Sequence, residues 1–317
     1  MCRIAGIVHF GDHRVSVEEL KDLLINMENG GRDSTGIGFL DGNKPRAIKS
    51  PGPAHEVVNK FDKFIAENRG DSRVVLLHTR LATHGSPKFN RNNHPIFGRK
   101  LMMVHNGVVW SPEKFVSTGE TDTEQMLRTI EKYGVVKGLN DTYGSVATLF
   151  GNKSSLFWTR RRSSSLSAVF DSELKILVIS TQLSDILKSI SFEKPYELNL
   201  KPDLLYKLTL NSNELTTIDL SEPFLKKSAL DEYLGSQHTT ASNSAEILYP
   251  KKFKTSAGQA HVGNLFAESL IGPNEEAVRR WSEENRQEFD EDSTDSEYQA
   301  WLETHSGQRD VDIYENV

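Results

Sequence analysis

Apolar residues in the first 220 positions fall into two rhythms. Ile4 to Phe10, Thr35 to Leu40, Arg73 to His78 (RVVLLH) and Lys100 to His105 (KLMMVH) are short runs bounded by turn residues, the signature of buried strands. Val17, Leu20, Leu23, Leu24 and Met27 recur at steps of three and four and predict a helix over 17–27. Val57, Val58, Phe61, Phe64 and Ile65 do the same over 54–67. A third helix is expected over Thr121 to Tyr133, where Thr121 can cap and Glu124 stands three residues on. Short strands follow at 145–150, 155–160, 166–170, 174–180, 204–210 and 214–219, interrupted by a helix over 182–190. Helices grouped before, between and after antiparallel-looking strands predict a layered α+β fold rather than a doubly wound sheet. The glycine-rich phosphate loops of nucleotide-binding folds are absent from the sequence, and so is any repeat of 20–50 residues.

The texture changes near residue 235. Gly235 to Asn264 is rich in Ser, Thr, Gln and Asn and reads as a linker. Pro273 to Phe289 could form a helix, with Asn274 as cap, Glu275 and Glu276 in the first turn and Val278, Trp281 and Phe289 on one side. Residues 290–297 are mostly acidic and polar, and Tyr298, Trp301 and Tyr314 are the aromatic anchors beyond them. Two readings stand: a solvated tail, or a docking segment that orders on a partner.

Composition sharpens this division. The chain has 317 residues, 37% hydrophobic and 26% charged, which suits a packed core. Its net charge of −6 is uneven. Residues 1–224 carry 29 Lys+Arg against 26 Asp+Glu, and residues 225–317 carry 9 against 18. The expected division is therefore a near-neutral domain over 2–224 and an acidic extension over 225–317. Such a balance argues against general nucleic-acid binding. No run reaches the length of a membrane span, and MCRIAGIVHF lacks the features of a secretory signal, so a cytoplasmic location is expected.

Cys2 is the single cysteine, so no intramolecular disulfide can form. If Met1 is trimmed, the chain begins with a free amine next to a thiol, and the amine can serve as that thiol's base. On position alone, a small apolar residue in the first strand is the simpler reading.

Cys2-Arg3-Ile4-Ala5-Gly6, Gly31-Arg32-Asp33-Ser34-Thr35-Gly36, His78-Thr79-Arg80-Leu81-Ala82-Thr83-His84-Gly85 with Asn92-Asn93-His94-Pro95, His105-Asn106-Gly107 and Gly119-Glu120-Thr121-Asp122-Thr123-Glu124 occur in this order. Together they resemble the class II, N-terminal-nucleophile glutamine amidotransferase domain over residues 2–220, most of all the glutaminase domain of glucosamine-6-phosphate synthase. The resemblance implies a four-layer αββα sandwich of the N-terminal-nucleophile hydrolase type and a reaction that splits the side-chain amide of L-glutamine. It implies catalytic roles for Cys2 as nucleophile and for Asn106 and Gly107 as oxyanion hole. It implies substrate binding by Arg80, Thr83, His84 and Asp122. The chemistry agrees: glutamine needs a cation for its carboxylate, for which a guanidinium is suited, an anion for its ammonium, and two donors aimed at the developing oxyanion. Read alone, Asn106-Gly107 is an ordinary hairpin turn, and Asp122 or Thr121 could simply cap a helix.

The sequence holds no H-E-x-x-H and no paired cysteine ligands, so no metal and no cofactor is expected. His78, His84, His94 and His105 are read as pocket and core residues. Three positions depart from the family pattern. Arg3 replaces a Gly and could narrow the site or touch substrate. Gly30 replaces an Arg that braces the site, a task left to Arg32 or another residue. Leu81 replaces an aromatic gate. The 93 residues after 224 show no recognisable synthase motif, so two expectations stand: a separate ammonia-using synthase docked through the acidic tail, or a plain glutaminase that acts alone. An amide hydrolase acting on another γ-glutamyl compound and a non-catalytic module are the alternatives.

Overall fold

The computed structural model describes residues 2–40, 45–110, 121–161, 164–220 and 312–315. The first half contains β1 (Arg3–His9), α1 (Val17–Met27), β2 (Ser34–Phe39), β3 (Arg46–Pro51), α2 (Ala54–Val57), α3 (Asp62–Arg69), β4 (Val74–Arg80), β5 (Ile96–Phe97) and β6 (Met102–Trp110). Next come α4 (Asp122–Tyr133), α5 (Val135–Asn140), β7 (Tyr143–Gly151), β8 (Ser155–Arg161), β9 (Ser167–Asp171) and β10 (Ile176–Ser180). The described chain ends with α6 (Leu183–Ser189), β11 (Pro195–Leu198), β12 (Leu204–Thr209), β13 (Glu214–Asp219) and β14 (Asp312–Glu315).

The strands form two antiparallel sheets. One has the order β11-β9-β10-β1-β4-β2-β3-β14, the other β13-β12-β8-β7-β6-β5. Three apolar layers hold them, and strand alternation decides which residue enters which layer. Ala5, Ile7, Ile37, Ile48, Val75 and Leu77 turn to one side and pack against Leu20, Leu23 and Leu24 of α1, Phe61, Phe64, and Ile186 of α6. Ile4, Val8, Ala47, Val74 and Leu76 turn the other way and meet Met102, Val104, Ala147 and Leu149 of the second sheet. Met103, Val109, Val146 and Phe150 back onto Met126, Leu127 and Ile130 of α4. The result is helices, sheet, sheet, helices.

Local chemistry sets several boundaries. Ser16 caps α1 through the Glu19 amide at 3.1 Å, and Glu19 returns the bond to the Ser16 amide at 2.9 Å. The Thr121 hydroxyl accepts from the Glu124 amide at 3.3 Å at the start of α4. The expected helix over 54–67 is broken into α2, a 3₁₀ turn over Val58–Phe61 and α3. Asn106-Gly107 corrects the turn reading: both residues lie inside β6, which runs on to Trp110 and pairs with β7 throughout. The expected helix over 273–289 falls outside the described residues, as does most of the extension. Its segment Asp312–Glu315 pairs with β3 at the edge of the larger sheet.

Three histidines sit between or behind the sheets. The rings of His78 and His94 stack with centroids 4.0 Å apart. His94 Nδ1 accepts from the His105 amide at 3.2 Å, His78 Nε2 lies 3.1 Å from the His105 carbonyl, and His105 Nδ1 meets Thr123 Oγ1 at 3.1 Å. Burial lowers the pKa of all three, that of His78 to about 3; burial also takes His9 to about 4. An imidazole whose folded pKa lies below its unfolded value favours the native state when neutral. That contribution is complete above about pH 6.5 and declines as pH falls toward 3. Urea midpoints are therefore expected to drop steadily from pH 7 to pH 4.5. His78→Asn should flatten that slope.

Candidate active site

Strand alternation, followed to one end of the sandwich, turns an apolar face into a chemical one. On β1 the inter-sheet stripe of Val8 and Ile4 continues to Cys2. On β4 the stripe of Val74 and Leu76 continues to His78 and Arg80, and on β6 that of Met102 and Val104 continues to Asn106. Because Arg3 pairs with Thr79, the start of β1 lies beside the end of β4. Cys2 extends that ladder: its Sγ accepts from the Leu81 amide at 3.3 Å and lies 3.4 Å from the Leu81 carbonyl.

The electrostatics of these groups interlock. Burial pushes the Cys2 thiol above its ordinary value. The Leu81 hydrogen bond and the Arg80 charge oppose this, while Asp122 adds to it. Burial lowers the Arg80 pKa, against the attraction of Cys2, Asp33 and Asp122. On balance these influences favour the protonated thiol.

Arg80 is 4% exposed and spends part of its guanidinium on the chain. Nη1 donates to Asn93 Oδ1 at 2.9 Å, and Nη2 donates to the His84 carbonyl and to the Gly85 carbonyl at 3.0 Å. Of its five N–H groups, two stay available for a carboxylate. Asp122 Oδ2 accepts from the Val109 amide at 2.9 Å and Oδ1 from the Thr123 amide at 2.9 Å, so this carboxylate joins the start of α4 to β6. Thr83 and His84 are exposed in the loop after β4, with His84 Nδ1 3.2 Å from Thr83 Oγ1. Asn106 is 9% exposed. Gly107 has φ +153°, and a Cβ there would lie 1.8 Å from the Ser145 carbonyl oxygen, so the position accepts no side chain.

Cys2, Arg80, Asn106 and Asp122 thus converge, Gly107 adjoins them, and Thr83 and His84 lie in the loop that Arg80 pins. Two expectations are corrected. Arg3 neither narrows this region nor faces it: on the opposite face of β1, its Nε lies 3.5 Å from Asp185 Oδ2 of α6. Arg32 does not brace the site, being exposed and paired with Glu28 at 3.0 Å. Asp33 takes that task. Its carboxylate accepts from the Ala82 amide at 2.7 Å, and its own amide donates to the Arg80 carbonyl at 2.9 Å. Asp33 and Asn93 lie inside the motif segments, where residue type alone gives them no role. Lys49, which enters the same network, carried no signal in the sequence. Leu81 is exposed. Among the described residues no group of three or more His, Cys, Asp or Glu side chains is placed to hold a metal ion, and no helix is long and apolar enough to cross a membrane.

Comparison with known proteins bears on this arrangement. Residues 25–150 match the family described as glutamine amidotransferases class-II. The isomerizing glutamine–fructose-6-phosphate aminotransferase of Sulfolobus acidocaldarius is 30% identical over 183 residues, 51% of this chain and 30% of that protein. The corresponding protein of Rhizobium meliloti (strain 1021) is 33% identical over 142 residues, 42% and 22% of the two chains. The chain thus spans under a third of the length of these relatives. In fold it resembles the glutamine phosphoribosylpyrophosphate amidotransferase of B. subtilis, with a TM-score of 0.57 at 18% identity over 69% of this chain and 49% of that one. The family match covers β2 to β7, and so the strands that bear Arg80 and Asn106: over residues 25–150 the chain matches a class II glutamine amidotransferase domain.

Proposed function

We propose that this domain is an N-terminal-nucleophile glutaminase that releases ammonia from L-glutamine for use by a separate protein. The observation that carries the reading is the convergence of Cys2, Arg80 and Asn106 at one end of the inter-sheet face, with the charge of Asp122 acting on both Cys2 and Arg80. In this reading the two unspent N–H groups of Arg80 bind the substrate carboxylate. Asp122, which has lone pairs to spare, takes the ammonium. Thr83 and His84 line the same pocket.

Removal of Met1 frees the amine of Cys2. That amine takes the thiol proton, and sulfur attacks the δ-carbonyl carbon. The tetrahedral oxyanion is held by the Asn106 side chain and the Gly107 N–H. The C–N bond then breaks, the amine's proton goes to the leaving nitrogen, and ammonia departs from a γ-glutamyl thioester. Water, deprotonated by the same amine, attacks the thioester. Glutamate leaves and the proton returns to sulfur.

Cys2→Ala is expected to lower glutamate release by at least roughly a thousandfold and to abolish labelling by an electrophilic glutamine analogue. Intact mass spectrometry of the labelled chain checks both the site and the loss of Met1. Absence of labelling at Cys2 in the wild type would sink the reading. Asn106→Ala should reduce kcat by about 10²–10³ with a smaller change in KM, as measured by steady-state kinetics. The acidic extension is proposed as the docking element for the acceptor protein. Deleting residues 236–317 should leave glutaminase activity in place and abolish co-purification and coupled amination. Unchanged co-purification overturns that assignment.

A further inference from the structure

Lys49 lies on the inter-sheet stripe of β3, two residues beyond Ala47, and is 2% exposed. A buried ammonium is tolerated when its donors are satisfied. Here Nζ donates to the Asn93 carbonyl at 2.6 Å and to the Pro95 carbonyl at 2.8 Å, and stands 6.0 Å from the centre of the Phe97 ring. The segment it grips is pressed from another side by β2, where a Cβ on Gly36 would lie 2.0 Å from the His94 carbonyl oxygen. Asn93 is also fixed by its own side chain. Nδ2 donates to the Pro87 carbonyl at 2.8 Å and to Asn90 Oδ1 at 3.0 Å, which leaves Oδ1 aimed at Arg80 Nη1.

We infer that Lys49 is a positioning residue for substrate recognition: by clamping the main chain on both sides of His94 it sets Asn93, and Asn93 sets the Arg80 guanidinium for a carboxylate. The inference rests on Arg80 binding the substrate carboxylate, as proposed above. Lys49 touches neither substrate nor the reacting atoms in this scheme. Its removal should therefore weaken recognition of the carboxylate more than it alters turnover of a substrate that lacks one. A lysine that merely supports the fold would reduce turnover of every substrate alike.

The test uses the full-length chain with Lys49→Met, and with Lys49→Gln as a variant that keeps a donor. Glutamine is compared with 4-aminobutanamide, which is glutamine without its α-carboxylate. For Lys49→Met, KM for glutamine is expected to rise about tenfold with kcat within about twofold, while kcat/KM for 4-aminobutanamide changes less than about twofold. Lys49→Gln should fall between the wild type and Lys49→Met. Equal losses on the two substrates overturn the inference. A readout that needs no turnover is ¹⁵N NMR of the Arg80 guanidinium, whose rotation should be hindered in the wild type and faster in Lys49→Met. Unchanged rotation also overturns it. If the wild type releases no glutamate, the glutaminase reading fails, and the NMR comparison still decides the positioning role.

Discussion

Everything at this site follows from two sheets packed face to face with a side-chain period of two. A residue on the inner stripe of a strand is committed to the space between the sheets. Along most of β1, β4 and β6 that space is filled by Ile4, Val8, Val74, Leu76, Met102 and Val104. At one end the same stripes deliver a thiol, a guanidinium and a carboxamide. The apolar body of the sandwich supplies rigidity and water exclusion, and the polar end inherits both. A one-residue slip of β1 would exchange Cys2 for Arg3 on the inner face and send the thiol toward α6. Cys2 is therefore held by the register of β1 with β4 and β10, and Thr181 secures that end further. Its Oγ1 accepts from the Ile4 amide at 3.2 Å, and its own amide donates to the Ile4 carbonyl at 3.1 Å.

The guanidinium of Arg80 shows how a buried charge can be both structural and receptive. Three of its N–H groups close the loop that follows β4, through His84, Gly85 and Asn93. Water cannot easily replace a missing partner there, so the loop and the arginine hold each other in place. The charge nevertheless remains incompletely compensated by hydrogen-bonded anions, because its three acceptors are neutral. Lys49, likewise gripped by carbonyl oxygens, adds to the positive potential and helps keep His78 and His94 unprotonated. A pocket with that potential favours an entering carboxylate.

Much of this was legible in the sequence because the inner stripes are written as period-two patterns or dense apolar runs. Helix 17–27 and strand 214–219 have the expected bounds, and the other principal strands shift by a few residues at their ends. β3 was missed for a physical reason. Arg46-Ala47-Ile48-Lys49-Ser50-Pro51 looks polar and carries a lysine at an inward position, which only the carbonyls of a sequence-distant segment can satisfy. Asn106-Gly107 misled for a related reason. The dipeptide suits a tight turn, yet here its glycine serves close approach to Ser145 inside a long strand. The motif segments pointed to Cys2, Arg80, Asn106 and Asp122 as candidates, but nothing in one dimension could show that Arg3 faces the helices or that Asp33 ties the Ala82 amide.

The state of the thiol links the fold to the chemistry. Arg80 and Asp122 act on Cys2 in opposite directions, and burial dominates both. In the proposed complex the glutamine zwitterion places its carboxylate on Arg80 and its ammonium on Asp122. Each existing charge meets its opposite, so the two influences on the thiol fade together. What remains is burial, which the substrate deepens by displacing water and which disfavours a free thiolate. Substrate binding by itself therefore cannot ionise Cys2. Proton removal has to be concerted with attack, by a base that travels with the nucleophile. The buried imidazoles of His78, His94 and His105 are committed to the strands behind the site, and His84 bonds to its neighbour at the loop surface. In the proposed mechanism the α-amine of Cys2 meets the requirement through covalent proximity alone.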